Sequence, residues 1–274
     1  ALIGQATGSL LFSDWIGVMS VLTPGLGTFT FILLFIGFSI KAGLVPFHIW
    51  LPEAHPQAPT HISALMSGVM IKIAIYAFLR LVFTGFWDDM APWWGLVIMT
   101  FGALSSVVGV FYAIERRDMK KALAFSSIEN IGIIFMGLGA AFYFNATGNI
   151  YGAYMGLAAA LLHIVNHALL KSLLFFGAGN VYYRHHTRSM DFLGGVAKTL
   201  PLTSVVFLLG AIGMMGLPPM NGFASELLTF QTLLRGIGDY DGTVGTRLLF
   251  PIIISALAFS AGLAFVVFSR MFGI

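Results

Sequence analysis

Apolar stretches of about 20 residues recur along the whole chain, and each is long enough for a helix to cross a bilayer. We assign seven spans and read residues 1–12 as part of an eighth. The seven cover residues 28–50, 60–84, 93–114, 121–143, 150–180, 201–235 and 247–270. Hydrophobic residues make up 58% of the chain and charged residues 9%, far from the balance of a soluble domain. The sequence predicts an all-α, multi-pass helix bundle that sits in a lipid bilayer.

The charges between the spans predict an orientation. The loops at residues 115–121 and 183–198 are basic, and they follow the third and fifth full spans, so they share a side. By alternation, residues 52–61 and the C-terminal end with Arg270 lie on that side too. Because Lys and Arg concentrate in cytoplasmic loops, we expect this side to face the cytoplasm.

Two of the predicted spans are interrupted. Pro46 follows Lys41 in the first, and Pro218, Pro219 and Gly222 fall in the middle of the sixth. Proline removes a backbone donor and clashes with the preceding turn, and the freed backbone must be satisfied by protein or water. Paired broken helices often line a transport path. A simple kink is the alternative, above all at Pro46; at the double proline we favour a real break.

Seven ionisable residues fall inside the predicted spans. A charge at the centre of a bilayer costs at least about 2.5 kcal/mol, so we expect functional roles for the set. His163, His167 and Lys171 are four residues apart and therefore lie on one helix face. Since histidine titrates near neutral pH, such a row suits a proton relay. The full set is Lys41, Lys72, Glu129, His163, His167, Lys171 and Glu226.

Structural alternatives stay open for several of these residues. Lys72 could form a static ion pair, Glu129 could pair with a basic loop, and Glu226 could cap a half-helix. His163 and His167 could bind a metal, although Lys171 would oppose a cation, and we predict no metal site. The chain has no cysteine, which excludes disulfides and iron–sulfur ligation by these residues. We identify no catalytic redox site and expect no nucleic-acid partner.

Four motifs carry a family resemblance. The chain closely resembles the proton-conducting antiporter-like subunits of respiratory complex I, Mrp antiporters and membrane-bound hydrogenases. The stretches that carry this resemblance are "KAGLVPFHIWLPEAHPQAPTHISALMSGVMIKIAIYAFLR", "KKALAFSSIENIGII", "HIVNHALLKSLLFFGAG" and "GLPPMNGFASE". Within that family, "SSIENIGII" and "GLPPMNGF" look most like the large membrane subunit of formate hydrogenlyase and hydrogenase 4. The resemblance covers residues from about 28 to 270.

The resemblance implies a fold and a partial coverage of it. Family members have about fourteen helices, with two inverted repeats of five helices. Residues 1–84 would form the end of the first repeat, and residues 93–270 the whole second repeat with its broken helix at 201–235. The glutamate that pairs with the first lysine in the family has no counterpart in this sequence. The chain is therefore expected to lack the N-terminal part of the family fold.

The resemblance also implies a function. It suggests translocation of protons or Na⁺ along a central axis of Lys41, Lys72, His167 with His163, Lys171 and Glu226, driven by a redox complex. Iron–sulfur clusters and a nickel–iron site would belong to peripheral redox subunits, and other membrane subunits would be neighbours. An Mrp-type cation/proton antiporter subunit without a redox partner is a second hypothesis. A structural membrane anchor is a third.

Overall fold

The computed structural model describes residues 2–9, 11–16, 18, 22–238 and 244–273. Over these residues the fold is helical, apart from turns and one isolated bridge between Asp118 and Ser189. The helices that position the rest of the molecule are α1 (Leu2–Thr7), α2 (Pro24–Ala42), α3 (Trp50–Gln57), α4 (Thr60–Gly85), α5 (Pro92–Glu115), α6 (Met119–Ala146), α7 (Ile150–His185), α8 (Pro201–Met214), α9 (Asn221–Ile237) and α10 (Val244–Phe272).

Six helices in the described part of the chain are long and apolar enough to cross a membrane, namely α2, α4, α5, α6, α7 and α10. The predicted multi-pass all-α bundle is therefore confirmed. The spans predicted at 60–84, 93–114, 121–143, 150–180 and 247–270 agree with α4, α5, α6, α7 and α10 to within a few residues at each end.

The first span, the sixth span and the expected partial span at the start of the chain have boundaries that the predicted ranges do not describe fully. The predicted end of the first span at residue 50 is wrong, because α2 ends at Ala42, where Gly43 adopts the left-handed conformation (φ 78°). The chain then turns and restarts as α3. The sixth span is broken as predicted, between α8 and α9. Among the described residues of the expected partial span over 1–12, α1 is followed by Gly8, which also has a positive φ, and Phe12 begins a short 3-10 helix that ends at Trp15.

Helix α6 is the central element of the bundle. Of its 28 residues, 25 are buried. Its sequence is apolar on all sides, which is typical of a helix surrounded by protein rather than by lipid on one face. Neighbouring helices must therefore pack closely around it, and the polar side chains from Ser126 to Asn130 lie in the protein interior.

Glycines allow α5 to approach α6 closely. Gly95, Gly102 and Gly109 are seven residues apart along α5. A Cβ atom on Gly102 would lie 2.7 Å from the carbonyl oxygen of Gly132 on α6, and one on Gly109 would lie 2.9 Å from the Cα atom of Glu129. Small residues at such positions let two membrane helices gain van der Waals contact along their backbones. The stripe therefore fixes the position of α6, including Glu129.

The basic loops meet at one end of the bundle, as predicted. Lys121 pairs with Glu53 at 2.9 Å, and Arg117 pairs with Asp191 at 2.9 Å. Arg270 donates to the carbonyl oxygen of Ile114 at 2.6 Å. Exposed ion pairs of this kind contribute little stability. They do show that residues 52–61, both basic loops and the C-terminal end of α10 lie on the same side.

Single cysteines test this arrangement, because the sequence contains no native cysteine. Gln57→Cys and Lys198→Cys are exposed positions at the basic end, and Asp88→Cys and Thr147→Cys are exposed at the other end. A membrane-impermeant maleimide should label the first two from the cytoplasmic side and the other two from the opposite side. Labelling of residues 57 and 198 from different sides would contradict the fold.

Replacing Gly102 with alanine tests the α5–α6 contact. The added methyl group meets the backbone of α6, and we expect a loss of about 1–3 kcal/mol in the free energy of unfolding, as overpacking typically causes. The control is Gly262→Ala on α10, where a Cβ meets no atom within 4 Å. Thermal unfolding of the full-length protein in detergent should show a lower melting temperature for the first variant only. Equal melting temperatures would contradict the close contact.

Candidate functional site

The titratable residues that the sequence analysis singled out fall mainly around α6. Lys72 lies on α4, Glu129 on α6, and His163, His167 and Lys171 on α7. All five are buried, and Lys171 has no exposed surface at all. Glu226 lies on α9 and is half-buried. Each of these six interacts electrostatically with at least one other member of the group. The structure thus brings six of the seven predicted residues into one cluster.

Lys41 is the predicted residue that stays apart. It lies in the last turn of α2 and is exposed. Pro46 lies in the turn that follows, where the backbone N–H of Val45 donates to the Oγ atom of Ser105 at 2.9 Å. The predicted break near Pro46 is therefore a true interruption held against α5, but within the described residues the axis begins at Lys72.

His163 is held on both sides of its ring. Its Nε2 atom is 3.0 Å from Oδ1 of Asn130, and its Nδ1 atom is 2.9 Å from Oγ of Ser225. The Asn130 amide nitrogen donates to the carbonyl oxygen of Ser126 at 2.8 Å, which turns its oxygen towards His163. Because that oxygen can only accept, Nε2 of His163 carries a proton.

The other nitrogen of His163 can exist in two states. In the neutral ring, Nδ1 accepts from the hydroxyl group of Ser225. In the charged ring, Nδ1 donates, and the Ser225 hydroxyl turns to the carbonyl oxygen of Gly222, which is 3.0 Å away. A hydroxyl group can serve in both ways because it donates once and accepts through two lone pairs. The site can therefore hold His163 with or without its second proton and lose no hydrogen bond.

His167 has a different environment. Its ring lies parallel to that of His163, with centroids 6.4 Å apart, and 1% of its surface is exposed. No described protein group lies within hydrogen-bonding distance of either ring nitrogen. Buried polar groups are almost always bonded to protein or to water, so we expect water molecules beside this ring.

The two buried lysines bind backbone carbonyls. Lys72 donates to the carbonyl oxygen of Ser67, which lies in a π-helical segment of α4, Met66–Met70. Such segments are frequent at functional sites because they change the direction of a helix face. Lys171 donates to the carbonyl oxygen of Leu123 at 3.1 Å and to the hydroxyl group of Ser126. Both ammonium groups are thus held by α4 and α6 rather than by a paired carboxylate.

The two carboxylates of the cluster belong to α6 and α9. Glu129 is 1% exposed, and its Oε2 atom has no bonding partner among the described protein groups. It interacts with both Lys171 and Glu226. Glu226 packs against Gly216, whose φ of 64° allows the chain to turn there.

The break between α8 and α9 places Glu226. The chain from Gly216 to Met220, with Pro218 and Pro219, separates the two half-helices, and Gly222 then packs against the backbone of Gly213. No side chain larger than hydrogen fits at position 222. The predicted break at these prolines and at Gly222 therefore brings the first turns of α9 next to the end of α8.

Several polar residues of the cluster were not predicted. Ser67 and Ser225 are fully buried and bonded to neighbouring helices, and their sequence signal is closeness to Lys72 and Glu226. His55 was likewise not predicted; it is fully buried, and its ring is stacked on that of Phe175 with the centroids 4.7 Å apart.

Comparison with known proteins adds to these observations. A family model described as "NADH:quinone oxidoreductase/Mrp antiporter, TM" matches residues 2–239. Hydrogenase-4 component B of Escherichia coli is 42% identical over all of this chain and 40% of the relative. Formate hydrogenlyase subunit 3 of Escherichia coli is 37% identical over 91% of this chain and 40% of the relative. The chain thus spans about two fifths of the length of these curated relatives.

A solved structure has the same fold. The structure of the Mrp complex from Dietzia sp. DQ12-45-1b matches 100% of this chain and 46% of its own, with a TM-score of 0.82 and 26% identity. Together with the family model, this similarity confirms the resemblance predicted from the four motifs. The chain belongs to the NADH:quinone oxidoreductase/Mrp antiporter family of membrane subunits.

Proposed function

We propose that this chain moves protons across the membrane as a subunit of a redox complex of the hydrogenase, formate hydrogenlyase or complex I type. The observation that carries the proposal is the cluster of six titratable residues around α6, five of which are buried. Buried ionisable residues in a membrane bundle are costly and usually mark an ion path. The relatives named above include a hydrogenase component and a formate hydrogenlyase subunit, which favours a redox complex.

The chemistry of the cluster supports proton transfer. His163 keeps its hydrogen bonds in both protonation states, and we expect water beside His167. Lys72 and Lys171 are held by carbonyl groups, which stabilise a charged ammonium but also leave the neutral amine in place. Water between such groups can pass protons from one to the next. The path we propose runs from Lys72 through His167 and His163 to Lys171, Glu129 and Glu226.

The driving reaction would take place in other subunits. We propose peripheral redox subunits that carry iron–sulfur clusters, and in a hydrogenase-type complex also a nickel–iron site. The residues described here include no cysteine, so the cysteine ligands of such clusters would come from those partners. A change of charge in a partner would shift protons along the cluster. We place the complex in the cytoplasmic membrane of a bacterium or archaeon, with the basic loops on the cytoplasmic side.

A second candidate function is cation/proton antiport without a redox partner. It is favoured by one observation, the match of the whole chain to a subunit of an Mrp complex. The two functions predict different partner subunits and different transported ions. Co-purification of iron–sulfur proteins with the full-length chain supports the redox complex. Their absence, together with Na⁺ uptake driven by a pH gradient in proteoliposomes, supports antiport.

Replacement of Lys72 or Lys171 by methionine tests the proposed path. Methionine is similar in length but cannot carry a proton. We expect each variant complex in liposomes to keep its redox turnover and to move at least about tenfold fewer protons per electron, because the ion path loses one of its buried titratable groups. The control is Lys198→Met, because Lys198 is exposed in the basic loop.

The outcome separates the proposal from a purely structural role. If both variants assemble normally and move as many protons per electron as the unchanged complex, the cluster is not the path. A structural anchor would give that result. If the Lys198 variant also stops proton movement, the loss reflects damage to the complex rather than the removal of a buried lysine. That result would likewise count against Lys72 and Lys171 as members of the path.

A further inference from the structure

The strongest remaining feature is a chain of hydrogen bonds that joins the two buried lysines. Lys72 donates to the carbonyl oxygen of Ser67, and the hydroxyl group of Ser67 lies 2.8 Å from that of Ser127 on α6. Ser127 in turn donates to the carbonyl oxygen of Leu123 at 3.0 Å, the same oxygen that accepts from Lys171. Every link in this chain is buried.

The carbonyl oxygen of Leu123 is surrounded by more hydrogen-bond donors than it can accept from. Besides the backbone N–H of Ser127 in the α-helix, three side-chain donors approach it: Ser126 at 3.2 Å, Ser127 at 3.0 Å and Lys171 at 3.1 Å. A carbonyl oxygen has two lone pairs, so the three donors compete. A charged ammonium group is a stronger donor than a neutral amine. The protonation of Lys171 therefore decides whether Ser127 keeps its bond to Leu123.

That competition sets the direction of the Ser67–Ser127 bond. When Lys171 is neutral, Ser127 donates to Leu123, and Ser67 donates to Ser127. When Lys171 is charged, Ser127 is displaced and donates to Ser67 instead, so the hydroxyl dipole beside Lys72 reverses. A hydroxyl pair can change direction in this way because either oxygen can be the donor.

We propose that Ser127, with Ser67, is a positioning pair that transmits the charge state of Lys171 to Lys72. The pair itself carries no proton between the lysines, because backbone carbonyls end the chain on both sides. Instead it makes the two lysines respond to each other more strongly than their repulsion through space would. The inference deepens the proposed function, on which it rests, by naming residues that would keep the two lysines from being charged together.

The surroundings of the pair define what else acts on it. The titratable groups that face this region are Lys72 from α4, Glu129 from α6, His163, His167 and Lys171 from α7, and His55 from α3. These groups stay in place when either serine is replaced by alanine. A change in coupling in such a variant would therefore come from the hydroxyl bridge.

The test is a double-mutant cycle read by nuclear magnetic resonance. The full-length protein is labelled with ¹⁵N-lysine in nanodiscs, and the titration midpoint of the Lys72 Nζ signal is measured with and without Lys171→Met. We expect Lys171→Met to shift the Lys72 midpoint in the otherwise unchanged protein. When Ser127→Ala is also present, Lys171→Met should shift that midpoint by less than about half as much, because residues in one hydrogen-bonded network are energetically coupled. Ser67→Ala should behave in the same way from the α4 side and leaves the ligands of Lys171 unchanged.

A matched control is available. Ser106 and Ser260 also form a buried hydroxyl pair between two helices, at 2.6 Å, and neither bonds to a lysine. Ser106→Ala should therefore leave the shift of the Lys72 midpoint unchanged. Equal shifts in Ser127→Ala, Ser67→Ala and the unchanged protein would overturn the inference.

The two proposals fail separately. If the shift is reduced as expected but Lys72→Met does not alter proton movement, the coupling stands and the proposed function falls. If Lys72→Met blocks proton movement and both serine variants keep the full shift, the proposed function stands and the coupling pair is wrong.

Discussion

The burial of α6 inside the bundle is the constraint on which the rest of the structure depends. A helix that is surrounded by protein along 25 of its 28 residues can place polar side chains where lipid never reaches. The glycine stripe of α5 makes this possible, because it brings the two backbones into contact and leaves the other faces of α6 to α4, α7 and α9. Glu129, Asn130, Ser126 and Ser127 therefore point towards those helices.

The cluster is built from groups that are shared between helices. Asn130 of α6 and Ser225 of α9 hold His163 of α7, and the carbonyl oxygen of Leu123 on α6 serves Lys171. Hydrogen-bond networks of this kind are strong in a low dielectric, and a partly satisfied one is costly. Among the described residues, neither ring nitrogen of His167 nor the Oε2 atom of Glu129 has a hydrogen-bond partner. In our account these are the positions where water completes the path.

Much of this could be predicted from the sequence, and the reasons are physical. Long apolar stretches indicate spans reliably, because a bilayer sets a fixed length, and a lysine such as Lys72 inside one must face protein or water. The spacing of His163, His167 and Lys171 gave their common face, since helix geometry alone determines it. The double proline at 218 and 219 gave the second break. Short polar residues such as Ser67 and Ser225 were missed, because a serine in a membrane helix is ordinary until its partner is known.

Other features depend on how helices pack, which no single stretch reveals. The exposure of Lys41 follows from the path of α2 at the edge of the described bundle, and the sequence alone placed it with the other lysines. Two weak signals in the sequence indicate the central position of α6: its uniform apolarity, and the glycines spaced seven residues apart on α5. Neither signal identifies which helix packs against which. The left-handed turn at Gly43, which ends α2 earlier than expected, likewise depends on the following segment packing against α5.

The most direct test of the central claim is a high-resolution electron cryo-microscopy structure of the full-length protein in its complex, with ordered water resolved. The account predicts water within hydrogen-bonding distance of both ring nitrogens of His167 and of Oε2 of Glu129, joined to Lys72, Lys171 and Glu226 in one connected network. A dry cluster, in which apolar side chains separate His167 and Glu129 from the lysines, would contradict it.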